Sequence, residues 1–351
     1  MSNATYKPDQ LRELCIEVFR KLGLKREEAE IISGVLIEAD LRGISSHGIA
    51  RLPIYAKRIR LGLINPNPEP RILKENETAA LLDADNGMGH IASYKAMEIC
   101  IDKAKRTGTG SVAVKNSNHF GINAYYTMMA ARKNVIGMAF TNTSPLMVPF
   151  GGSEKLLGSN PLSIAIPAGS EPDLVLDMAT SVAPRGKLED AARKGLSIPE
   201  GWAVDKGGRV TVDPKEGLSG ALLPFGGPKG YGLAICVDIM CGVLTGSDFG
   251  PNCGALFGDL DRPQNIGHFF MAINIENYMS IGDFKERMDT MVRTIKESNK
   301  APGVDRIYMP GEIEYEKSIE LRKTGITLTT AVVNELNDLA ESLGIPEVKR
   351  I

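Results

Sequence analysis

Apolar positions in the first forty residues recur at helical spacing. Leu11, Leu14, Cys15, Val18 and Leu22 form one stripe within residues 8–22, which Gly23 ends, and Ile31, Ile32, Val35, Leu36 and Ala39 form a second, with Gly43 as its stop. Three alternate prolines at 66, 68 and 70 forbid regular structure there and mark the exit from a helical lobe. The pattern then changes. Residues 78–83 read as a strand, 91–106 as a helix, 111–114 as a strand, and a further helix runs through Tyr125, Met128, Met129 and Arg132. Short apolar runs at 135–141, 162–166 and 174–178, separated by Gly/Ser/Pro turns, predict strands. Residues 184–220 are polar and read as a surface excursion carrying the single tryptophan, Trp202. A helix at 233–244, a strand at 268–275, and helices near 282–298 and 329–344 complete an α/β chain, with Met309 to Glu312 as a loop.

Composition narrows the function classes. The 351 residues are enough for two domains or one large domain with an extra lobe. The 41 basic and 43 acidic residues nearly cancel, and no dense Lys/Arg block is present, which argues against a nucleic-acid partner while leaving room for a local cationic pocket. Five cysteines without a C-x-x-C pair imply neither a disulfide framework nor a zinc knuckle. Without a signal-peptide core or a membrane-length apolar run, the expected setting is cytoplasmic, with no membrane partner.

Three stretches carry candidate chemistry. Gly43 to Tyr55 places His47, Arg51 and Tyr55 at steps of four, which on a continuous helix stack on one face, fit to hold a small carboxylate or to make structural hydrogen bonds at a half-buried helix start. His119, within Asn116 to Gly121, follows a strand and precedes a helix, a place for an exposed acid/base as well as for a helix-capping histidine. Leu223 to Gly232 sets glycines and Lys229 before an apolar helix, which suits a pyrophosphate or a packing turn. Gly108 to Ala113 spells the letters of a dinucleotide fingerprint in reversed context, with a helix before it and a strand after, and is rejected as one. Asp259 and Asp261 lack a nearby histidine of suitable placement, so no metal is assigned.

The ordered set of Ser45-Ser46-His47-Gly48 with Arg51 and Tyr55, Asn116 to Gly121, Val148 to Gly152, Ser159-Asn160-Pro161, Asp177 to Ser181, Lys229 to Leu233, Gly267 to Phe270 and Pro310-Gly311-Glu312 resembles the type-2 malate/L-lactate dehydrogenase family over nearly the whole chain. The resemblance implies an NAD- or NADP-dependent oxidoreductase acting on a small 2-hydroxy or 2-oxo acid of malate or L-lactate type. Relatives reduce cyclic imino acids or oxidise ureidoglycolate or sulfolactate, and a metabolite-binding protein without turnover is the reading outside enzymes. It implies His119 as the acid/base, with His47 as the second catalytic histidine, and Ser46, Arg51 and Tyr55 at the substrate. Cofactor contacts are implied at Thr143, Asp177, Met178, Ala179, Lys229, Gly311 and Glu312. Ser144-Pro145 departs from the Asp-Pro of the ureidoglycolate enzymes and leans toward the malate/lactate branch.

The expected architecture is a mixed-sheet cofactor domain at 119–285 and a helix-rich substrate and dimerisation domain from residues 1–118 and 286–351; the resemblance implies that the cofactor domain is non-Rossmann and that the protein is a homodimer. The choice between NAD and NADP is open, because the ribose-reading residue has a predictable place only in a Rossmann unit.

Overall fold

The computed structural model describes residues 3–346. Its centre is a seven-stranded sheet in the order Arg71–Glu75, Ala79–Asp83, Thr109–Ser117, Ile266–Asn274, Val135–Thr141, Leu162–Ile166, Leu174–Met178. Only Ala79–Asp83 and Thr109–Ser117 pair in parallel, joined by the crossover helix Gly89–Thr107. Every other pair is antiparallel. With a single parallel pair, this mixed sheet lacks the run of parallel strands of a doubly wound dinucleotide fold. The reversed context of Gly108 to Ala113 has a physical basis: Gly108 ends the crossover helix at φ +93°, and a Cβ on Gly110 would lie 2.3 Å from the Cys100 carbonyl oxygen of that helix.

Helices Gly89–Thr107 and Asn123–Ala131 cover the sheet, and their small and apolar residues (Ala92, Ala96, Cys100, Ala124, Ala130) form one core with Val112, Val114, Ala139 and Phe270. A second core joins helices Pro8–Lys21, Arg26–Leu41, Leu52–Arg60 and Thr330–Ser342. Both ends of the described chain meet there, since Ala4–Tyr6 pairs with Ile326–Leu328. The sheet draws three strands from residues 71–117, so a boundary at 118/119 passes between paired strands. No helix among the described residues is long and apolar enough to cross a membrane.

Three sequence expectations are corrected. The 184–220 excursion is a folded lobe, with helix Arg185–Lys194, helix Pro214–Ser219 and a three-stranded sheet around Leu188, Ile198 and Ala203. Its paired strands are two residues long, too short for an alternation to show. Glu312 opens a helix, Glu312–Thr324, whose buried residues are Glu312 and Ser318, so it carries no apolar stripe to read. The trio at 47, 51 and 55 does not share one continuous helix: Ser45–His47 and Ile49–Arg51 are separate 3-10 turns before helix Leu52–Arg60.

Candidate active site

Gly48 breaks the helix because another group fills the space beside it. A Cβ there would lie 2.0 Å from Asp40 Oδ1, and the same carboxylate accepts the Ile49 N–H at 2.7 Å. Asp40, buried near the end of helix Arg26–Leu41, thus fixes the turn between His47 and Arg51. Burial pushes its carboxyl up to about 7, against the Ile49 N–H, which favours the charged form. A folded-state pKa above the unfolded value means that the native chain holds the extra proton, so this group's stabilising contribution is present in acid and is lost as pH rises from about 4 to about 7. Asp40→Asn keeps an acceptor for Ile49 and removes that loss. Thermal melts should show it more stable than the parent at pH 8, by up to about 4 kcal/mol, with the difference vanishing near pH 4.

His119 sits in the turn between strand Thr109–Ser117 and helix Asn123–Ala131. Asn118 anchors this turn by donating to the Asn86 and Gly87 carbonyls. The His119 N–H donates to Gln264 Oε1 at 3.0 Å, and its Nδ1 accepts the Gly121 N–H at 3.3 Å and meets the Tyr55 hydroxyl at 2.6 Å. The His47 ring stacks on it at 5.5 Å, itself held by Ser46 Oγ at 2.9 Å from His47 Nδ1. The structure thus brings Ser46, His47, Tyr55 and His119 together. Burial, then the neighbouring His47 and Arg51, hold the His119 imidazole well below the usual histidine range, and burial with Arg51 lowers His47 to about 4. Both rings are therefore neutral at pH 7. Burial also raises the Tyr55 phenol, which stays protonated.

Arg51 supplies the cation. Its guanidinium lies 4.6 Å from the Phe257 ring, and its buried Nε has no hydrogen-bond partner. A buried guanidinium N–H without an acceptor suits an anionic ligand. The chain's four histidines all gather here. His90 packs edge-on against Tyr55 at 5.3 Å with both ring nitrogens unpartnered, whereas His268 is tied to Thr141 and Ser117 and stacks on Phe120. His90, Phe257, Gln264 and Arg58 were not singled out by the sequence. Gly267 to Phe270 was visible as a motif, but not the place of His268 beneath the site.

The residues expected at the cofactor form two groups. Thr143 binds the 158–160 loop: its Oγ1 accepts the Ser159 N–H and its N–H donates to Asn160 Oδ1. Thr180 donates to the Ser159 carbonyl and accepts the Phe225 N–H, which brings Met178 and Ala179 close to the turn before Lys229. Lys229 is exposed in the first turn of helix Pro228–Asp238, which starts five residues before the predicted 233. In the second group, Asp177 accepts the Ala124 N–H at 2.8 Å, and burial raises its carboxyl to about 7. The Pro310 carbonyl, next to Gly311, accepts the Val175 N–H on the same strand. Glu312 is committed inside the protein: burial opposes its charge, yet Lys296, the Met309 N–H and Arg306 hold it at about 2. Beside Ala124, Asn123 is 2 % exposed with neither side-chain amide atom partnered. That free amide, the peptide groups of these loops and the Lys229 cation fit a nicotinamide dinucleotide, which needs amide, hydroxyl and diphosphate partners.

Comparison with known proteins identifies the family. The family described as malate/L-lactate dehydrogenase matches residues 6–337. A malate dehydrogenase of Pyrococcus abyssi is 44 % identical over 96 % of this chain and 94 % of its own, and an NAD(+)-dependent ureidoglycolate dehydrogenase of Escherichia coli O157:H7 is 37 % identical over 93 % of each. The solved sulfolactate dehydrogenase of Methanocaldococcus jannaschii superposes with a TM-score of 0.93 at 41 % identity, covering 98 % of both chains. The chain belongs to the malate/L-lactate dehydrogenase family.

Proposed function

We propose that the substrate of this NAD- or NADP-dependent 2-hydroxy-acid dehydrogenase is a small 2-hydroxy acid with a second acidic group, malate or its sulfonate counterpart sulfolactate, and that His119 is the acid/base. The observation that carries the reading is one cluster: a neutral imidazole held at Nδ1 by Tyr55, a second histidine stacked on it, and a half-buried arginine whose Nε is buried and unpartnered. Relatives named for malate and for sulfolactate, at 44 % and 43 % identity, support the second acidic group.

In the oxidation direction the substrate carboxylate binds Arg51, oriented by His47, and places the 2-hydroxyl at His119 Nε2. Neutral His119 accepts the hydroxyl proton there. The tautomer with its lone pair at Nε2 carries its proton at Nδ1, donates it to the Tyr55 oxygen and gives up the long Gly121 contact; the imidazolium formed when Nε2 takes the hydroxyl proton is the proton donor for reduction of the 2-oxo acid. A nicotinamide cofactor held beside this site would supply the hydride chemistry. Thr143, Asp177, Met178, Ala179, Lys229 and the Gly311-Glu312 turn are assigned to hold it, the carboxylates of Asp177 and Glu312 through the backbone they fix. We assign cofactor binding chiefly to residues 119–285. Substrate contacts and a homodimer interface belong to the helical part, although Ile239, Val243, Leu244 and Phe249 form a further exposed apolar patch that a partner subunit would cover.

A panel of oxaloacetate, the 2-oxo form of sulfolactate, pyruvate and a cyclic imino acid, each with NADH and NADPH, tests this. The two diacids should exceed pyruvate in kcat/KM by at least about tenfold. Arg51→Gln should raise KM for every acid by about 10²-fold. Faster turnover of the imino acid than of either diacid would sink the substrate assignment.

A further inference from the structure

Arg58 is fully buried yet faces no carboxylate within ion-pair distance among the described residues. Its guanidinium instead donates to four backbone carbonyls of one segment: Ala255 and Leu256 at 3.3 Å, Asp259 at 2.6 Å and Arg262 at 2.9 Å. Burying a cation to gather peptide oxygens is costly, and the five-donor fork of arginine is the side chain that can satisfy several at once. The segment is pinned at its ends as well. Gly250 N–H donates to Asp238, and Gly254 N–H donates to the Gln264 carbonyl.

What the segment carries explains the cost. Phe257 projects from it, 56 % exposed, with its ring over Arg51. Gln264 closes it, with Oε1 on the His119 N–H and Nε2 on the Gly254 carbonyl. Arg58 stands on helix Leu52–Arg60, which also carries Tyr55 and follows directly on Arg51. One helix therefore holds the residues at the substrate and the clamp on the strap that walls them. We propose that Arg58 is a positioning residue of the reaction, clamping residues 255–262 so that Phe257 lies against Arg51 and sets affinity for the substrate's acid group. Arg58 itself touches no substrate. Phe257 lowers the water content around the Arg51 guanidinium and holds it in one rotamer, so the acid group meets a preorganised, partly desolvated cation. This rests on the reading of Arg51 as the carboxylate binder.

The test is steady-state kinetics on the full-length enzyme at saturating nicotinamide, with oxaloacetate varied and the Kd of oxalate measured by calorimetry alongside. Phe257→Ala should raise KM and the oxalate Kd about tenfold with kcat within about threefold. Arg58→Lys keeps the charge but loses the fork, and should show the same split. The double variant should be no worse than the weaker-binding single variant, because both act through one ring. Effects that multiply, or a loss in kcat alone with KM unchanged, overturn the proposal. Arg51→Gln separates it from the reading beneath it. An unchanged KM in Arg51→Gln overturns that reading, whereas a raised KM there with unchanged KM in Phe257→Ala and Arg58→Lys overturns this proposal alone. Should Arg58→Lys not fold, Asp259→Asn loosens the same strap by weakening the acceptor of the Ala255 N–H, and is compared with Phe257→Ala in its place under the same outcomes.

Discussion

His119→Ala lowers kcat by about 10²- to 10⁴-fold in both directions while leaving the dissociation constant for reduced nicotinamide, followed by its fluorescence, within about twofold. The expectation follows from how the ring is held. Its Nδ1 is occupied by Tyr55 and Gly121, its backbone by Gln264, and Nε2 has no protein partner among the described residues. Apart from His47, no other histidine offers a free nitrogen to a ligand: His268 has both nitrogens bonded, and His90 is sealed in the core. His47, lowered to about 4, is the one rival. Near-wild-type turnover in His119→Ala with cofactor still bound would transfer the role to it. The pH dependence carries a sign. With the His119 pKa well below 6.5, kcat/KM for oxidation needs the neutral ring and stays flat through neutrality, falling only in acid. Reduction needs the protonated ring, so its kcat/KM declines as pH rises through the same low pKa. An inflection for oxidation at the ordinary histidine value, near 6.5, would mean that burial does not govern this site. Tyr55→Phe, which removes one partner of Nδ1, should cost about tenfold in kcat.

The parts of this architecture that could be read in the chain are those where a local pattern and a tertiary role coincide. Strands at 135–141, 162–166 and 174–178 match to the residue, because each is a short apolar run closed by Gly, Pro or Asn turns. Helix Pro8–Lys21 shows its stripe because one face meets the second core and the other meets water, whereas Arg26–Leu41 runs between two cores, with Ile32 and Leu36 in the second and Val35 and Ala39 in the core of the sheet. Strand Arg71–Glu75 gave no signal, since all five of its residues are exposed at the sheet edge and nothing imposes alternation. The site divides the same way. His47, Arg51, Tyr55 and His119 stand in recognisable motifs, yet their geometry was not what the spacing implied. Steps of four on one helix gave way to two 3-10 turns, because Asp40 occupies the volume beside Gly48. Arg58, Phe257 and Gln264 escaped because their partners lie far away in sequence: Arg58 reaches its first carbonyl across 197 residues, and Gln264 meets His119 across 145. No local periodicity carries such a contact.

The largest structural sensitivity lies at a glycine that touches no ligand. Gly89 opens helix Gly89–Thr107, and a Cβ there would lie 1.9 Å from the Asn118 carbonyl oxygen and 2.9 Å from that of His119. Both atoms belong to the backbone, so no rotamer change can make room. The turn itself is tied down, since the Asn118 side chain donates to Asn86 and Gly87 just before the helix. Gly89→Ala must therefore push the peptide that carries His119 away from Tyr55 and Gln264, or tilt the head of the helix. The expected cost is about 2–4 kcal/mol in unfolding free energy, from overpacking against fixed backbone. Catalysis should fall by about 10²-fold, because displacing an acid/base by roughly 1 Å costs that much. Gly282→Ala is the control. Its Cβ would meet nothing nearer than Ser280 Oγ at 3.9 Å in the first turn of helix Ile281–Lys296, so it should stabilise by up to about 1 kcal/mol and leave kcat unchanged. Thermal melts and initial rates on the two variants decide the matter. A Gly89→Ala protein that melts and turns over like the parent would mean that the helix head and the His119 turn can separate freely, and that His119 is held by its side-chain partners alone.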